Sequence, residues 1–257
     1  MSAKKPARKV GGNSAERGTD NSAFLSQHRK INFELNIRDY ELTEKQKIIV
    51  ETMTHKEAKV VNLNSIWGVG KTFCSVLAAL TLLKDGRARK IYYIRSAAEA
   101  SDCPKIGTLP GDLILKTAAY NEVLMEKLNE FLPPTQADRL IKEGFVECLP
   151  PNYLRGRTFN NCVLICDEAE NFSKNTILLI LSRMGERSRA FFIGDSDIQT
   201  DIKNGGFREY YDLFNDEESR SNGVWSFEQR DSKDIMRSGF LRFVMEKVGL
   251  AKKDSVL

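Results

Sequence analysis

The sequence contains few histidines, no C-x-x-C pair and no long apolar run. His28 and His55 are its only two histidines, and neither has metal-ligating neighbours, so histidine triads and histidine-ligated metal sites are poor candidates. The five cysteines show no zinc-binding spacing. Cys162 and Cys166 fall in an apolar run that predicts reduced core residues. Because no apolar run approaches the roughly 20 residues of a membrane span, we expect no membrane association.

The first 34 residues differ in composition from the rest of the chain. They are rich in Gly, Ser, Asn, Lys and Arg, and residues 1–35 carry all of the net charge of +4. This composition predicts a disordered basic tail over residues 1–34 and a globular domain over residues 35–257. A solvated leader and a nucleic-acid-binding arm both fit the tail. Because the tail lacks the apolar centre of a secretory signal, we expect a cytoplasmic protein.

The segment NSIWGVGKT, residues 64–72, lies between an apolar run and a helix-like run. Strand, glycine loop and helix in this order are what a phosphate-binding P-loop requires. Glycines let successive backbone N–H groups point at phosphate oxygens, and the helix presents its positive end to the same anion. Lys71 is predicted to reach the terminal phosphates and the Thr72 hydroxyl to hold Mg²⁺. The predicted binding residues are Trp67, Gly68, Val69, Gly70, Lys71, Thr72 and Phe73.

Strand-like and helix-like runs alternate along the remaining globular chain. Thr43 and Gln46 form a capping-box pattern that begins a helix ending near Met53. Further helices are predicted at residues 72–83, 112–132, 136–142, 173–184, 206–214 and, with Ser232 as its cap, 232–248. Strands are predicted at residues 60–63, 90–95, 145–149, 162–166, 189–194 and 224–227. Residues 96–112 are predicted to form a long loop. The alternation predicts an α/β fold with a mainly parallel sheet covered by helices on both faces.

Two apolar strands end in acidic residues. The run over residues 162–166 ends in Asp167 and Glu168, which a buried parallel strand would deliver to the carboxyl edge of the sheet. There Asp167 would hold Mg²⁺ opposite Thr72, and Glu168 would act as general base toward water. The run over residues 189–194 ends in Asp195, a candidate sensor of the terminal phosphate.

These motifs resemble the PhoH family of P-loop ATPases, whose core is related to the RecA-like domain of superfamily 1 helicases. The resemblance also rests on YIRSAAEA, IGTLPGD, LRGRTFN, LICDEAEN, IGD and DIMR, which begin at residues 93, 106, 154, 164, 193 and 234. It implies a single RecA-like P-loop NTPase domain with Walker A and Walker B motifs. It further implies binding of ATP and Mg²⁺, hydrolysis of ATP, and RNA or single-stranded nucleic acid as a partner.

The chain departs from the family pattern at three positions. Ser65 replaces the first P-loop glycine, and Glu170 stands where the family often has glutamine. Gln199 follows Asp195 one residue later than the usual helicase-like pattern, so Asp195 is the preferred phosphate sensor.

In helicase-like ATPases a glutamine ahead of the first strand reads the adenine base, so Gln46 has two competing uses, base recognition and helix capping.

One Walker pair supplies only one RecA-like domain, whereas helicases of this class place ATP between two. An arginine that neutralises charge in the transition state would then come from a neighbouring subunit. The sequence therefore predicts a ring-like homo-oligomer, similar to a hexamer, with Arg237 acting in trans. Arg230 and Arg183 are the weaker candidates.

Three other functions compete with an ATPase that remodels nucleic acid. The first is an ATP-binding switch that hydrolyses slowly, which Glu168 argues against. The second is a two-metal nuclease built on the acids at positions 167, 168, 195, 197 and 201, which leaves Lys71 unexplained. The third is a small-molecule kinase, although the chain lacks an obvious lid over an acceptor site.

Overall fold

Six parallel strands form the sheet that positions the candidate site. The structure is a computed structural model, and it describes residues 30–95, 113–197 and 205–251. The strands are β1 (Val60–Ser65), β2 (Lys90–Arg95), β3 (Val146–Leu149), β4 (Cys162–Asp167), β5 (Arg189–Gly194) and β6 (Val224–Gln229). Their order is β3-β2-β4-β5-β1-β6, and every neighbouring pair is parallel. The carboxyl ends of all six strands therefore meet at one edge.

Helices cover both faces of this sheet, as the sequence predicted. They are α1 (Glu44–Thr54), α2 (Lys71–Lys84), α3 (Leu113–Phe131), α4 (Pro134–Lys142), α5 (Lys174–Arg183), α6 (Phe207–Leu213), α7 (Glu217–Ser221) and α8 (Gly239–Lys247). One apolar cluster joins α1 to α4 to one sheet face, and a second joins α5 and α6 to the other. Alternate residues of each strand thus enter separate cores, which accounts for their continuous apolar runs. In the described residues, no helix has the length and apolarity to cross a membrane.

The helix starts follow local capping chemistry. Thr43 and Gln46 form the predicted capping box of α1, and Ser173 caps α5. The prediction for the last helix was wrong, because Ser232 begins only a short 3₁₀ turn and Ser238 caps α8. Between this turn and α8, the Met236 N–H donates to the Gly68 carbonyl at 2.8 Å. The chain there is hydrogen-bonded to the glycine loop and does not continue a helix.

The globular part begins slightly before the expected boundary at residue 35. Ile31 and Phe33 already pack against the larger core cluster. The rest of the predicted tail, the predicted loop at 96–112 and Gln199 lie outside the described residues. Cys162 and Cys166 are buried and unpaired, as expected from their apolar run.

Candidate functional site

A cleft of about 850 Å³ lies at the carboxyl edge of the sheet. The strand ends, the start of α2, and parts of α1, α3 and the segment before α8 form its walls. Most of the residues singled out from the sequence meet there, although they are far apart in the chain. Those lining the cleft are Gln46, Trp67, Gly68, Gly70, Lys71, Thr72, Phe73, Asp167, Glu168 and Arg237.

The glycine loop adopts the backbone that the motif requires. Gly68 and Gly70 have φ angles of 82° and 90°, in the left-handed region that favours glycine. Gly70 directly precedes α2, so the amino end of that helix opens onto the cleft. Ser65, at the place of the missing glycine, is the last residue of β1. Its hydroxyl bonds the Gln229 amide at 3.3 Å, so the serine is accommodated within the sheet.

Lys71 folds back over its own loop. Its Nζ donates to the carbonyls of Ser65 at 2.6 Å and Ile66 at 3.1 Å. Burial lowers the pKa of Lys71, while the carboxylates of Asp195, Glu170 and Asp167 oppose that shift. The ammonium is therefore held by carbonyl oxygens that a phosphate could replace.

Thr72 and Asp167 face each other, as predicted. The Thr72 hydroxyl lies 3.3 Å from Oδ1 of Asp167. The Tyr93 hydroxyl donates to Oδ2 of the same carboxylate, and burial raises the pKa of Tyr93, which keeps it a donor. A hydroxyl and a carboxylate at this spacing are suitable oxygen ligands for Mg²⁺. No cluster of three or more His, Cys, Asp or Glu side chains with metal-binding geometry occurs in the described parts of the chain, so such an ion would need phosphate or water oxygens as well.

Glu168, the predicted general base, is ion-paired with Arg95. Oε2 of Glu168 accepts from Nε of Arg95 at 3.0 Å, and Oε1 accepts from Nη2. Glu168 also has a φ of 53°, an uncommon backbone for a residue with a side chain. The two residues are 73 positions apart, and no sequence motif indicated this pairing.

Glu170 lies on the same wall and is largely buried. Its Oε2 accepts the Asp195 N–H at 3.2 Å. Burial raises the pKa of Glu170 from 4.5 to about 7, partly offset by Lys71 and by the backbone hydrogen bond from Asp195. The Glu170 carboxyl, at a position where the PhoH family often has glutamine, is therefore protonated in at least part of the molecules near pH 7.

Asp195, the predicted phosphate sensor, is fully buried and bound to Arg230. Nη1 of Arg230 donates to its Oδ1 at 2.5 Å, and Nη2 donates to the Asn64 amide oxygen at 2.7 Å. Oδ2 of Asp195 is buried without a hydrogen-bond partner, so one acceptor remains available to a water or ligand. The Arg230 side chain is only 10% exposed, and its guanidinium is bound within this cluster. Arg230 is therefore a weaker candidate for an arginine that acts on a neighbouring subunit. Arg183 does not line the cleft.

Arg237 lies at the cleft of its own chain. Its Cβ would be 3.3 Å from a Cβ placed on Gly68, while Ile235 and Leu241 would be closer, at 3.1 and 2.6 Å. Arg237 is exposed and lines the cleft. The sequence predicted that Arg237 acts in trans on a neighbouring subunit, and that stays a prediction.

Gln46 joins the start of α1 to the glycine loop. Its Oε1 accepts the Thr43 N–H at 3.1 Å, as the capping box predicts, and its Nε2 donates to the Val69 carbonyl at 3.2 Å. Helix capping is therefore confirmed, and base recognition stays a prediction. Tyr40, which the sequence analysis missed, lines the same end of the cleft and packs edge-on against Phe73 at 4.9 Å.

Comparisons with known proteins support this reading of the motifs. The model of a family described as PhoH-like protein matches residues 40–248. A PhoH-like protein of Bacillus subtilis is 30% identical over 204 residues, covering 74% of this chain and 63% of that protein. One of Synechocystis is 36% identical over 137 residues, covering 53% of this chain and 41% of that protein. The chain thus spans about two fifths to three fifths of these curated relatives.

Among solved structures, the SWI2/SNF2 ATPase core of Sulfolobus solfataricus in complex with dsDNA is similar. It has 14% identity and a TM-score of 0.45, and the match covers 81% of this chain and 49% of that one. A likeness this distant carries no argument about the site.

Proposed function

Since this chain belongs to the PhoH-like protein family, whose model matches residues 40–248, we propose that it binds ATP with Mg²⁺ at the glycine loop and hydrolyses it. The single observation that carries this proposal is the Thr72 hydroxyl 3.3 Å from the Asp167 carboxylate. Thr72 follows Lys71 at the amino end of α2, and P-loop NTPases use these three groups together to bind a phosphate and its metal ion.

In this proposal the loop N–H groups and Lys71 bind the phosphates. Lys71 exchanges the carbonyls of Ser65 and Ile66 for phosphate oxygens. Thr72 and Asp167 would hold Mg²⁺, which when bound would neutralise charge on those oxygens. Tyr40 and Phe73 lie at the end of the cleft that suits the base.

Glu168 then serves as general base toward the attacking water. The water oxygen bonds to the terminal phosphorus, its proton passes to Glu168, and the bridging oxygen leaves with ADP. Arg237, from the mouth of the same cleft, counters the charge that develops. Asp195 is buried with one unpartnered oxygen, and its N–H donates to Glu170; because that oxygen is an acceptor, Asp195 would respond to the terminal phosphate through a bridging water.

The proposed partner is a single-stranded polynucleotide, RNA or DNA. Support comes from the segment after β3, at the same carboxyl edge. Tyr153 is 43% exposed and Arg155 is exposed beside it. An exposed aromatic ring and an exposed arginine two residues apart in the chain suit stacking on a base and pairing with a phosphate.

The test is phosphate release by the wild type and by Lys71→Ala, with RNA, with single-stranded DNA and with neither. We expect Lys71→Ala to lower turnover by at least about 10²-fold. Lys84→Ala, at the other end of the same helix, should leave it unchanged and is the matched control. Equal turnover by wild type and Lys71→Ala would exclude this site as the ATPase.

Nucleotide binding is measured separately from turnover. Trp67, in the loop itself, is 45% exposed, so its fluorescence should change when ATP binds. Absence of any such change would contradict nucleotide binding at the loop.

A switch with slow hydrolysis is the second candidate, and the Arg95–Glu168 ion pair favours it. A base engaged by a cation on both oxygens is poorly placed to take a proton. The nuclease alternative is weaker, because Asp195 is engaged by Arg230 and Lys71 has no role in it.

A further inference from the structure

The end of β2 contacts both acidic residues of β4. Arg95 and Asp167 are paired in the β2–β4 register. Tyr93 donates to Asp167, and Arg95, two residues later on the same face, binds both oxygens of Glu168. One strand end therefore positions the proposed metal ligand and the proposed base.

The two contacts have opposite consequences for hydrolysis. Tyr93 donates to Asp167 but leaves Oδ1 facing Thr72, so it supports a metal site. Arg95 instead fills an acceptor position on each oxygen of Glu168. Both oxygens of Glu168 are therefore directed at the Arg95 guanidinium, and neither is free to accept a hydrogen bond from an attacking water in the same direction.

The backbone of Glu168 aims its side chain toward Arg95. Glu168 has left-handed dihedrals of 53° and 48°, and its N–H donates to Oδ1 of Asp167 at 3.0 Å. Residues other than glycine, asparagine or aspartate rarely adopt this conformation unless the surroundings impose it.

Arg95 is also adjacent to the proposed polynucleotide surface. Ile94 pairs with Leu149 in the β2–β3 register, so the ends of β2 and β3 are neighbours at the carboxyl edge, where the segment that begins at residue 150 follows β3. This segment carries Tyr153 and Arg155. A phosphate held there would be an alternative anion for the Arg95 guanidinium.

We propose that Arg95 is a positioning residue that withholds Glu168 from the attacking water, and that a phosphate of a bound single strand releases Glu168 by drawing Arg95 away. This inference rests on the proposed function. Both side chains are partly exposed, at 31% for Arg95 and 39% for Glu168, so an incoming phosphate can reach the pair.

The test compares full-length wild type, Arg95→Ala, Arg95→Lys and Glu168→Gln. Without polynucleotide, Arg95→Ala should raise kcat on the order of tenfold, the factor expected for loss of a charge-assisted hydrogen bond. KM for ATP and the Trp67 fluorescence response should stay the same. Arg95→Lys keeps a cation and should stay near the wild-type rate. Glu168→Gln, alone or with Arg95→Ala, should be inactive.

Stimulation by RNA or single-stranded DNA is the second readout. The wild type should be stimulated, whereas Arg95→Ala should already turn over near its stimulated rate. Arg220→Ala, an exposed arginine on α7 at the far side of the fold, should behave as wild type in both assays.

A basal kcat of Arg95→Ala at or below wild type, with Lys71-dependent turnover present, would overturn the inference and leave the ATPase proposal intact. Unchanged stimulation of Arg95→Ala would equally overturn it. Turnover that does not depend on Lys71 in any variant would contradict the proposed function itself. If RNA and single-stranded DNA stimulate turnover to different extents, the stronger of the two is the polynucleotide that provides the phosphate.

Discussion

At the scale of single residues, the site is a set of buried charges with fixed partners. Arg230 neutralises Asp195, Tyr93 donates to Asp167, and Lys71 rests on carbonyl oxygens. Each buried charge would otherwise be costly, so these contacts keep the cleft formed. Glu170 differs, because it lacks a cationic partner at hydrogen-bond distance in the described contacts and instead keeps its proton. Its carboxyl should therefore make stability depend on pH.

We predict that Glu170→Gln removes a pH-dependent loss of stability. The folded state holds the Glu170 proton to about pH 7, whereas the unfolded chain releases it near its ordinary value of 4.5. The folded state binds more protons across that window, so stability falls as pH rises from about 4.5 to 7. The glutamine variant should match the wild type near pH 4.5 and exceed it by up to about 3 kcal/mol at pH 8. Urea unfolding across this range measures the difference.

The matched control is Glu51→Gln, which neutralises an exposed carboxylate on α1. It should leave the pH dependence of unfolding unchanged. The hydrogen bond from the Asp195 N–H survives in Glu170→Gln because the amide oxygen also accepts. Identical pH profiles for wild type and Glu170→Gln would show that Glu170 ionises normally.

At the scale of elements, the glycine loop and the C-terminal segment form one packed unit. Ile66 and Val69 of the loop share a small apolar cluster with Ile235 and Met245. The Met236 N–H bonds the Gly68 carbonyl. This unit places Arg237 at the cleft, so the loop conformation and the finger position depend on the same contacts.

We predict that Gly68→Ala weakens both stability and ATP binding. A Cβ on Gly68 would meet Leu241 Cδ2 at 2.6 Å, and the φ of 82° is already unfavourable for alanine. The backbone alone should cost about 1–2 kcal/mol, and the clash should displace the segment before α8. Thermal unfolding and Trp67 fluorescence titration measure the two effects.

Gly86→Ala separates the backbone cost from the clash. Gly86 has a φ of 69°, and its added Cβ would meet nothing within 4 Å. It should lose only the backbone part, about 1–2 kcal/mol, while keeping ATP affinity. If the two variants bind ATP equally well, the packing of the C-terminal segment on the loop has no part in the site.

Elements defined by local chemistry could be predicted from the sequence. The glycine loop, the capping box at Thr43 and the acid-ending strand β4 each depend on neighbouring residues, and all three formed as expected. Pairings across the sheet could not be predicted, because they depend on strand order. Arg95 reaches Glu168 only since β2 lies beside β4, and Arg230 reaches Asp195 across 35 residues.

At the scale of the whole molecule, the position of Arg237 changes the argument for a ring. The sequence analysis required a neighbouring subunit because one RecA-like domain leaves half of the nucleotide open. The segment before α8 instead returns an arginine of the same chain to its own loop. If Arg237 acts on the nucleotide of its own chain, a single chain would supply each group that the proposed hydrolysis uses, and oligomerisation would become a separate question from catalysis.

We predict that Arg237 acts in cis, so that defective chains cannot complement each other. Arg237→Ala should lower kcat on the order of 10²-fold with little change in Trp67-detected ATP binding, because the arginine acts on charge that develops during reaction. Phosphate release is then measured after Arg237→Ala and Lys71→Ala chains are unfolded together and refolded as a mixture. If Arg237 acts in cis, the mixture stays as inactive as its components.

An arginine acting in trans would instead restore turnover wherever an intact loop of one chain meets an intact Arg237 of the next. Recovered activity would therefore place the site at an interface between subunits. Wild-type turnover per chain that stays constant on dilution would support the same conclusion as failed complementation, since a site contained within one chain does not depend on meeting another.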